Sequence, residues 1–317
     1  MPRKSLTIVT PVYEDREASG RLLEAIAEEF GDAVHVVVVD DGSVREPLDI
    51  AHLEQAGISD ELIRLKRNVG HQRAIAVGLG YVSENLPDDM TVVVMDSDGE
   101  DIPATIPSLL AALEQDQVDV AVAQRRSRVE TLRFRTFYFL YKIIFGVLTG
   151  RKIGFGNFMA LKSRAVRRLV AMHETWTHVA AAVLGSKLRI GSCPLDRGPR
   201  YAGRSRMNFT GLVLHGFKAL MVFAEDVLVR VGMICIVIST ISILCAVIAI
   251  ILKIIGFATP GWFSVALGVL FLVFLQTAAL TLMTLMLTGV SKGGAVLPGS
   301  HTAFVKEVIR TSPGRND

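Results

Sequence analysis

Cysteine is scarce in this chain. Its 317 residues include three, Cys193, Cys235 and Cys245, and two of these lie inside one apolar run. A disulfide framework or a cysteine metal cluster is therefore not expected. A surplus of charge is missing too: 34 Lys and Arg against 31 Asp and Glu leave a formal net charge of +3. A nucleic-acid footprint would need a far more basic domain, so no nucleic-acid partner is expected. No signal-peptide core precedes the first strand, because Met1–Lys4 runs straight into Leu6-Thr7-Ile8-Val9, which places the amino-terminal domain in the cytoplasm. No internal repeat is visible.

Charge is absent altogether from Val231–Leu252 and from Trp262–Leu287. Each run is long enough to cross a bilayer core of about 30 Å, and together they raise the mean hydropathy of the chain to +0.42. Only a short connection with Pro260 and Gly261 separates them, so they read as a transmembrane hairpin that returns the chain to its starting side. Lys253 and Trp262 sit where interface anchors belong. Arg230, Lys292 and Lys306 on the domain side, against Lys253 alone in the loop, agree with a cytoplasmic domain at the inner membrane. Small residues in the hairpin leave room for packing against a second copy of the chain.

The remainder has a normal apolar share and nearly all the acids. Leu6–Thr10, Val34–Val39, Glu61–Leu65, Thr91–Met95 and Val118–Ala123 read as short buried strands. Glu17–Phe30, Arg73–Val82 and Ile106–Glu114 repeat apolar residues at helical spacing. Alternation of this kind predicts an α/β fold, a mainly parallel Rossmann-like sheet with helices on both faces. A basic and aromatic stretch from Arg125 to Phe145 suits a helix at a membrane surface or one docked on the domain's own core. Phe209–Val229 is a second such helix. The expected organisation is a cytoplasmic domain over 1–208, a juxtamembrane interfacial helix over 209–229, two spans over 230–288 and a cytoplasmic tail over 289–317. That tail reads as partly disordered, with one apolar patch at Phe304–Ile309.

The chemistry gathers at strand ends. Val92-Val93-Val94-Met95 stops at Asp96-Ser97-Asp98-Gly99-Glu100-Asp101. Alternate side chains of an extended segment share a side, so Asp96, Asp98 and Glu100 can converge on Mg²⁺ or Mn²⁺ that also holds a diphosphate. By itself such a run also fits a solvated acidic turn. Asp101 reads as a helix-start acid. The first strand ends in Thr10-Pro11-Val12-Tyr13-Glu14 and the second in Val39-Asp40-Asp41-Gly42-Ser43. There a Tyr can stack on a base, and an ionised Asp can accept a hydrogen bond from a base N–H.

These elements, with Arg67-Asn68-Val69-Gly70 between them, resemble in order and spacing the family 2 glycosyltransferases of GT-A type. With two spans behind the domain, the chain is most similar to those acting on polyprenyl phosphates, the group of dolichyl-phosphate mannose synthase and the undecaprenyl-phosphate sugar transferases. The resemblance implies that Pro11, Tyr13, Glu14 and Asp41 hold the nucleoside, with Asp40 and Asn68 nearby and His71 and Arg73 approaching the donor. It implies that Asp96 and Asp98 bind metal and diphosphate, and that Glu100 stands where relatives often carry Gln. Arg200-Tyr201-Ala202-Gly203-Arg204-Ser205 resembles the family's Arg-x-x-Gly-x-Ser element. Arg200, Arg204 and the Ser205 hydroxyl can bind phosphate oxygens, and Arg125 or Arg126 is a further candidate for that role.

An acid is missing from Gly150–Asn157, where relatives often carry Asp, which leaves the role of this loop open. An anionic phosphate acceptor needs no general base, so the gap favours it over a hydroxyl, although Glu174 could serve as a base. The expectation is a metal-dependent, inverting enzyme moving one sugar from a UDP- or GDP-linked donor to polyprenyl (undecaprenyl) phosphate. Transfer to a lipid or polysaccharide hydroxyl is the alternative, although a processive synthase would need a Gln-x-x-Arg-Trp element and more spans. A silent membrane scaffold of the same fold is the third reading.

Overall fold

The computed structural model describes residues 6–57, 59–85, 87, 89–125, 132–202, 209–257, 261–293 and 301–311. The chain divides into two compact units, one formed by 1–139, 153–222 and 297–317, the other by 140–152 and 223–296.

In the first unit β1 (Leu6–Val12), α1 (Arg16–Phe30), β2 (Val34–Asp40), α2 (Ile50–Ala56), β3 (Ser59–Leu65), α3 (His71–Asn85) and β4 (Thr91–Val94) alternate as the apolar pattern predicts. There follow α4 (Ile106–Glu114), β5 (Val120–Arg125), α5 (Leu132–Thr149), which belongs to the second unit from Leu140 onward, β6 (Met159–Lys162), α6 (Ser163–Val170), α7 (Val179–Gly185) and β7 (Ile190–Leu195). One eight-stranded sheet runs β7-β5-β6-β4-β1-β2-β3-β8, where β8 is Val305–Arg310. It is mostly parallel, and β6 and β8 are its antiparallel members.

Side-chain alternation along β1 and β2 explains the layers. Ile8, Val36 and Val38 pack with Leu22, Leu23, Ile26 and Leu109 on one face. Val9, Val37 and Val39 pack with Ile75, Leu79, Leu169 and Val183 on the other. Strands buried on both faces need nearly continuous Val and Ile, which is what β2 supplies. Each such side chain stabilises the fold by about 1.5–3 kcal/mol when fully buried. Helix α3 lies unusually close to the sheet because Gly78 faces β1 and β2: a Cβ there would stand 2.5 Å from Val9 Cγ1 and 3.0 Å from Val39 Cγ2.

The tail differs from expectation. Residues 301–311 are ordered, and β8 closes the β3 edge that would otherwise be open to pairing. Its alternating Val-Lys-Glu-Val-Ile-Arg suits an edge strand. Arg310 Nε donates to Glu61 Oε1 at 2.8 Å, Arg64 Nη1 donates to Glu307 Oε1 at 3.2 Å, and Phe304 lies 5.5 Å from Trp176, centroid to centroid.

After α8 (Phe209–Met221), still in the first unit, come α9 (Ala224–Ile254) and α10 (Trp262–Gly293) of the second. With 31 and 32 residues, each extends about 45 Å at 1.5 Å per residue. They run antiparallel against each other, with Ser239 Oγ 2.5 Å from Thr277 Oγ1 and Gly232 facing Thr284. Their most apolar windows are only 17% and 6% buried. A soluble protein's core helix would be covered, so these helices associate the chain with a membrane. Arg151, Asp226 and Arg230 gather near one end of this unit, and Lys253 stands over the Phe263 ring at the other.

A Gly78→Ala protein gains about 1 kcal/mol of helix propensity but forces stiff valines apart, which costs about 1–3 kcal/mol. It should therefore melt below the wild type in a detergent-solubilised thermal unfolding experiment; an equal or higher midpoint would refute the close approach.

Candidate functional site

The carboxyl ends of β1, β2 and β4 lie side by side, because these strands are parallel neighbours. At the end of β1, Tyr13 is 42% exposed, whereas Glu14 is 4% exposed at a backbone φ of 49°. Glu14 accepts the backbone N–H groups of Val44, Arg45 and Glu46 at 3.0, 3.0 and 2.7 Å. Those bonds, that from Val44 foremost, hold its pKa below the ordinary value although burial opposes them. Asp40 Oδ1 accepts the Ser43 N–H at 2.8 Å. Asp41 accepts the N–H groups of Val69 and Gly70 at 2.7 and 2.9 Å, gripping the turn that enters α3. Burial pushes the Asp41 pKa up, and these two bonds oppose it. Pro11 is buried within β1, and Asn68 and Arg73 are exposed on either side of the helix start.

At the end of β4 the acids fold into a compact loop. Asp101, which reads as a helix-start acid, turns back so that its Oδ2 accepts the Asp96 N–H at 2.9 Å. Asp98 Oδ1 accepts the Glu100 N–H at 3.0 Å. A strap from the end of β7 clamps this loop: the N–H of Gly198 donates to the Glu100 carbonyl and that of Tyr201 to the Asp98 carbonyl, both at 3.0 Å. Gly99 is needed there, because its φ is +85° and a Cβ would meet the Tyr201 ring at 2.3 Å. The strap carries the compensating charge. Arg200 Nη2 lies 2.6 Å from Asp98 Oδ2, Arg200 Nε lies 3.2 Å from Glu100 Oε1, and Arg197 pairs with Glu100. Burial and the neighbouring Asp96 push the Asp98 pKa up, with Arg200 and Arg197 opposing.

His71 reaches the acids from the other side. Its Nε2 lies 3.1 Å from Asp96 Oδ1 and 3.1 Å from Asn157 Nδ2. Desolvation disfavours the charged ring, but Asp96, Asp41 and Asp98 outweigh it and hold its pKa above the ordinary value. Asp96, Glu100, Asn157 and Arg197 line one small cavity with Asp101 and Asp196. Hard oxygen donors of this kind suit Mg²⁺ or Mn²⁺. No group of three His, Cys, Asp or Glu ready to hold an ion exists among the described residues. An ion of this kind bound through one or two carboxylates, with diphosphate and water completing its shell, needs no such group.

The profile described as "Glycosyl transferase family 2" matches residues 7–175, more than half of the 317. The chain belongs to this family. It is 25% identical over 219 residues to the undecaprenyl-phosphate 4-deoxy-4-formamido-L-arabinose transferase of Salmonella paratyphi A, covering 67% of this chain and 65% of that one. It is 26% identical over 211 residues to the dodecaprenyl-phosphate galacturonate synthase of Rhizobium johnstonii, covering 63% and 61%. The chain thus spans somewhat less than two thirds of these relatives. Among solved structures, glucosyl-3-phosphoglycerate synthase of Mycobacterium tuberculosis, crystallised with Mn²⁺, UDP-glucose and phosphoglyceric acid, has a TM-score of 0.50 at 14% identity, covering 72% of this chain and 79% of that one. It shares the GT-A fold.

Several residues expected from the family 2 pattern meet here: Asp96, Asp98, Glu100, Arg200 and His71 form one ionic cluster. Arg204, Ser205, Arg126 and the Arg125 side chain lie outside the described residues. Sequence reasoning missed Arg197, whose signal was a second Arg three positions before Arg200. It also missed Asn157, the end of the acid-free loop, and Gln72, whose buried amide joins Asn157 Oδ1 at 3.2 Å.

One further polar pair flanks the cluster. His178 caps α7, its Nδ1 accepting the Ala181 N–H at 3.2 Å, so its proton sits on Nε2, 3.1 Å from His215 Nε2 on α8. Burial first, then His215, Lys218 and His71, push the His178 pKa down to about 3. The folded protein therefore refuses a proton that the unfolded chain takes up below its ordinary pKa of 6.5. Stability is complete above that pH and falls as the pH drops toward the folded pKa, by about 2 kcal/mol at pH 5 from this group. A His178→Asn protein, in which Asn can still cap α7, should show a shallower loss between pH 7 and 5 in denaturant titrations; parallel curves for the two proteins would refute the assignment.

Proposed function

We propose that the chain transfers a single sugar from a UDP- or GDP-linked donor to a polyprenyl phosphate at a membrane surface, with inversion. The observation that carries this reading is the strap of Arg197 and Arg200 on the acids of the β4 end. It sets cations beside a donor-type carboxylate pair, directly before the Gly203-Arg204-Ser205 element and α8. Helix α8 presents Leu214, Phe217 and Met221 with more than half of each exposed. A lipid phosphate fits such a place, its headgroup among arginines and its chain against this apolar helix. The names of both relatives, each a polyprenyl-phosphate enzyme, support the acceptor class.

In the proposed reaction Tyr13 stacks on the base at the open end of β1, while Asp40, Asp41 and Glu14 shape the nucleoside pocket by holding the loops around it. Asp96 and Asp98, with Glu100 behind them, would hold Mg²⁺ or Mn²⁺, which supplies positive charge for the departing diphosphate. An anionic acceptor oxygen attacks the anomeric carbon as the bond from that carbon to the diphosphate oxygen breaks. The nucleoside diphosphate leaves with the electron pair. No proton has to move, in keeping with a loop at Gly150–Asn157 that offers an amide and no acid. Arg200 and Arg197 are placed to stabilise the phosphate charge on either side of the transfer.

The topology supports a common side for the reaction and both ends of the sheet. Strands on either side of α9 and α10 share one sheet, so a bilayer is crossed an even number of times. We place that side in the cytoplasm, where nucleotide sugars are made, with 1–208 as the transferase domain and the tail contributing its last strand.

Purified full-length protein, given Mn²⁺, undecaprenyl phosphate and a panel of radiolabelled nucleotide sugars, should yield an organic-soluble sugar phosphate with one of them. Asp98→Ala should reduce that rate by about 10²–10³-fold, the cost typical of a lost transition-state charge contact. Label appearing only on a hydroxyl acceptor would sink the phosphate reading, and an undiminished Asp98→Ala rate would sink the metal assignment.

A further inference from the structure

Two rings meet between α7 and α8, and a backbone group decides what each of them carries. The N–H of Ala181 donates to His178 Nδ1 at 3.2 Å. A backbone N–H can only donate, so this Nδ1 holds a lone pair and the proton of the neutral ring sits on Nε2. That proton faces His215 Nε2, 3.1 Å away, which must therefore accept it. His215 in turn is neutral, with its own proton on Nδ1. The same reasoning excludes a metal between the rings, because His178 Nε2 has no lone pair to offer. The His215 Nδ1–H has no acceptor among the described residues, and it is not sealed from solvent. A directed donor is left at the surface of α8.

The helix sorts its other residues around this donor. At about 100° per residue, Leu214, Phe217 and Met221 share one exposed stripe, Lys218 borders it, His215 comes next and the buried Ala219 follows. Lys218 is exposed and stands one turn from His215, near enough for its charge to act on the ring. His71 and Asp96 act on the same ring. This edge of α8 therefore borders the acids at the end of β4.

We propose that the His215 Nδ1–H and the Lys218 ammonium bind the phosphate monoester of the acceptor lipid, whose chain lies along Leu214, Phe217 and Met221. This inference rests on the acceptor reading given above and names the residues on α8 that receive the headgroup. Lys218 supplies charge and the ring supplies direction. Both groups stay protonated as they bind, so no proton is exchanged and the acceptor oxygen keeps its negative charge. His178 is the positioning residue, because its donation to Nε2 fixes which nitrogen of His215 carries the proton.

Full-length protein in detergent, without donor or metal, is titrated separately with undecaprenyl phosphate, inorganic phosphate and phosphatidylglycerol. Equilibrium binding gives the affinities, and ¹⁵N-histidine spectra read the His215 ring. Before any addition His215 should show the tautomer protonated at Nδ1. Undecaprenyl phosphate should shift that signal, and Lys218→Ala and His215→Phe should each weaken the lipid by about ten-fold or more, the loss typical of a hydrogen bond to a charged group. His215→Gln should recover most of the affinity, because its amide oxygen still accepts from His178 and its nitrogen still donates. Thermal midpoints are followed in parallel, and the exposed Lys218→Ala carries the test where His215→Phe fails to fold. A wild type that binds the lipid with an unmoved His215 signal, undiminished affinity in Lys218→Ala, or a ring protonated at Nε2 would each overturn this site and leave the acceptor reading standing. Inorganic phosphate bound as tightly as the lipid would overturn the role of the apolar stripe. An equal shift and affinity with phosphatidylglycerol would make the edge a general anionic-lipid contact and overturn its assignment to the acceptor. A wild type that does not bind undecaprenyl phosphate at all would overturn the acceptor reading and this site with it.

Discussion

Four carboxylates at the end of a buried strand repel one another, and the site exists because something else cancels that repulsion. Asp96, Asp98, Glu100 and Asp101 follow a strand whose last residues are fully buried. Without partners, burial and mutual repulsion would drive protons onto such a group. Arg200 and Arg197 supply two fixed cations, His71 approaches from the opposite side, and Asp101 is satisfied by a backbone N–H. Breaking such a partly buried pair by removing one member is costly, because the remaining charge is stranded. The cluster is therefore held together as a unit, and its geometry follows from wherever the arginines can be placed.

That placement depends on the sheet. β6 runs antiparallel to both β4 and β5, so β5 and its parallel neighbour β7 point the same way as β4. The segment leaving β7 consequently emerges at the same edge as the acids and can lie across them, fixed by the N–H groups of Gly198 and Tyr201. A wholly parallel sheet would have required another crossover helix between β4 and β5's neighbour. One short reversed strand of four residues, Met159–Lys162, instead brings the cations to the edge that carries the acids.

The parallel half was legible because continuous Val and Ile runs ending in acids can hardly be read otherwise; β1, β2 and β4 appear within two residues of where their patterns put them. The antiparallel additions were not. β6 is too short to show a period, and β7 mixes Gly, Ser and Pro into an exposed alternation. β8 carried a clean period of two, but its position after two apolar runs made it read as a tail patch. At the site, residue type was legible and direction was not. Sequence shows that Glu14 and Asp41 stand at strand ends; only coordinates show that their oxygens are already occupied by loop N–H groups, so that they shape the pocket by holding its walls. Asn157 was invisible for a related reason. Its Oδ1 accepts from the Gln72 amide, whose oxygen accepts the Val179 N–H on α7.

The same backbone group ties the site to its surroundings. Val179 opens α7, the residue before it is His178, and His178 bonds to His215 on α8. Gln72 thus holds the first N–H of this short helix and His178 caps its third, the one side chain reaching Asn157 and the other facing the helix whose far side is apolar and exposed. A shift of α7 would disturb both. The rigid core beneath them, with Val179 and Val183 buried against the sheet, makes such a shift expensive. Among the described residues, packing and directed hydrogen bonds thus connect the acids with the apolar helix. A reaction that joins a water-soluble donor to a lipid acceptor requires such a relation, because the two substrates arrive from different phases and must meet at one carbon atom.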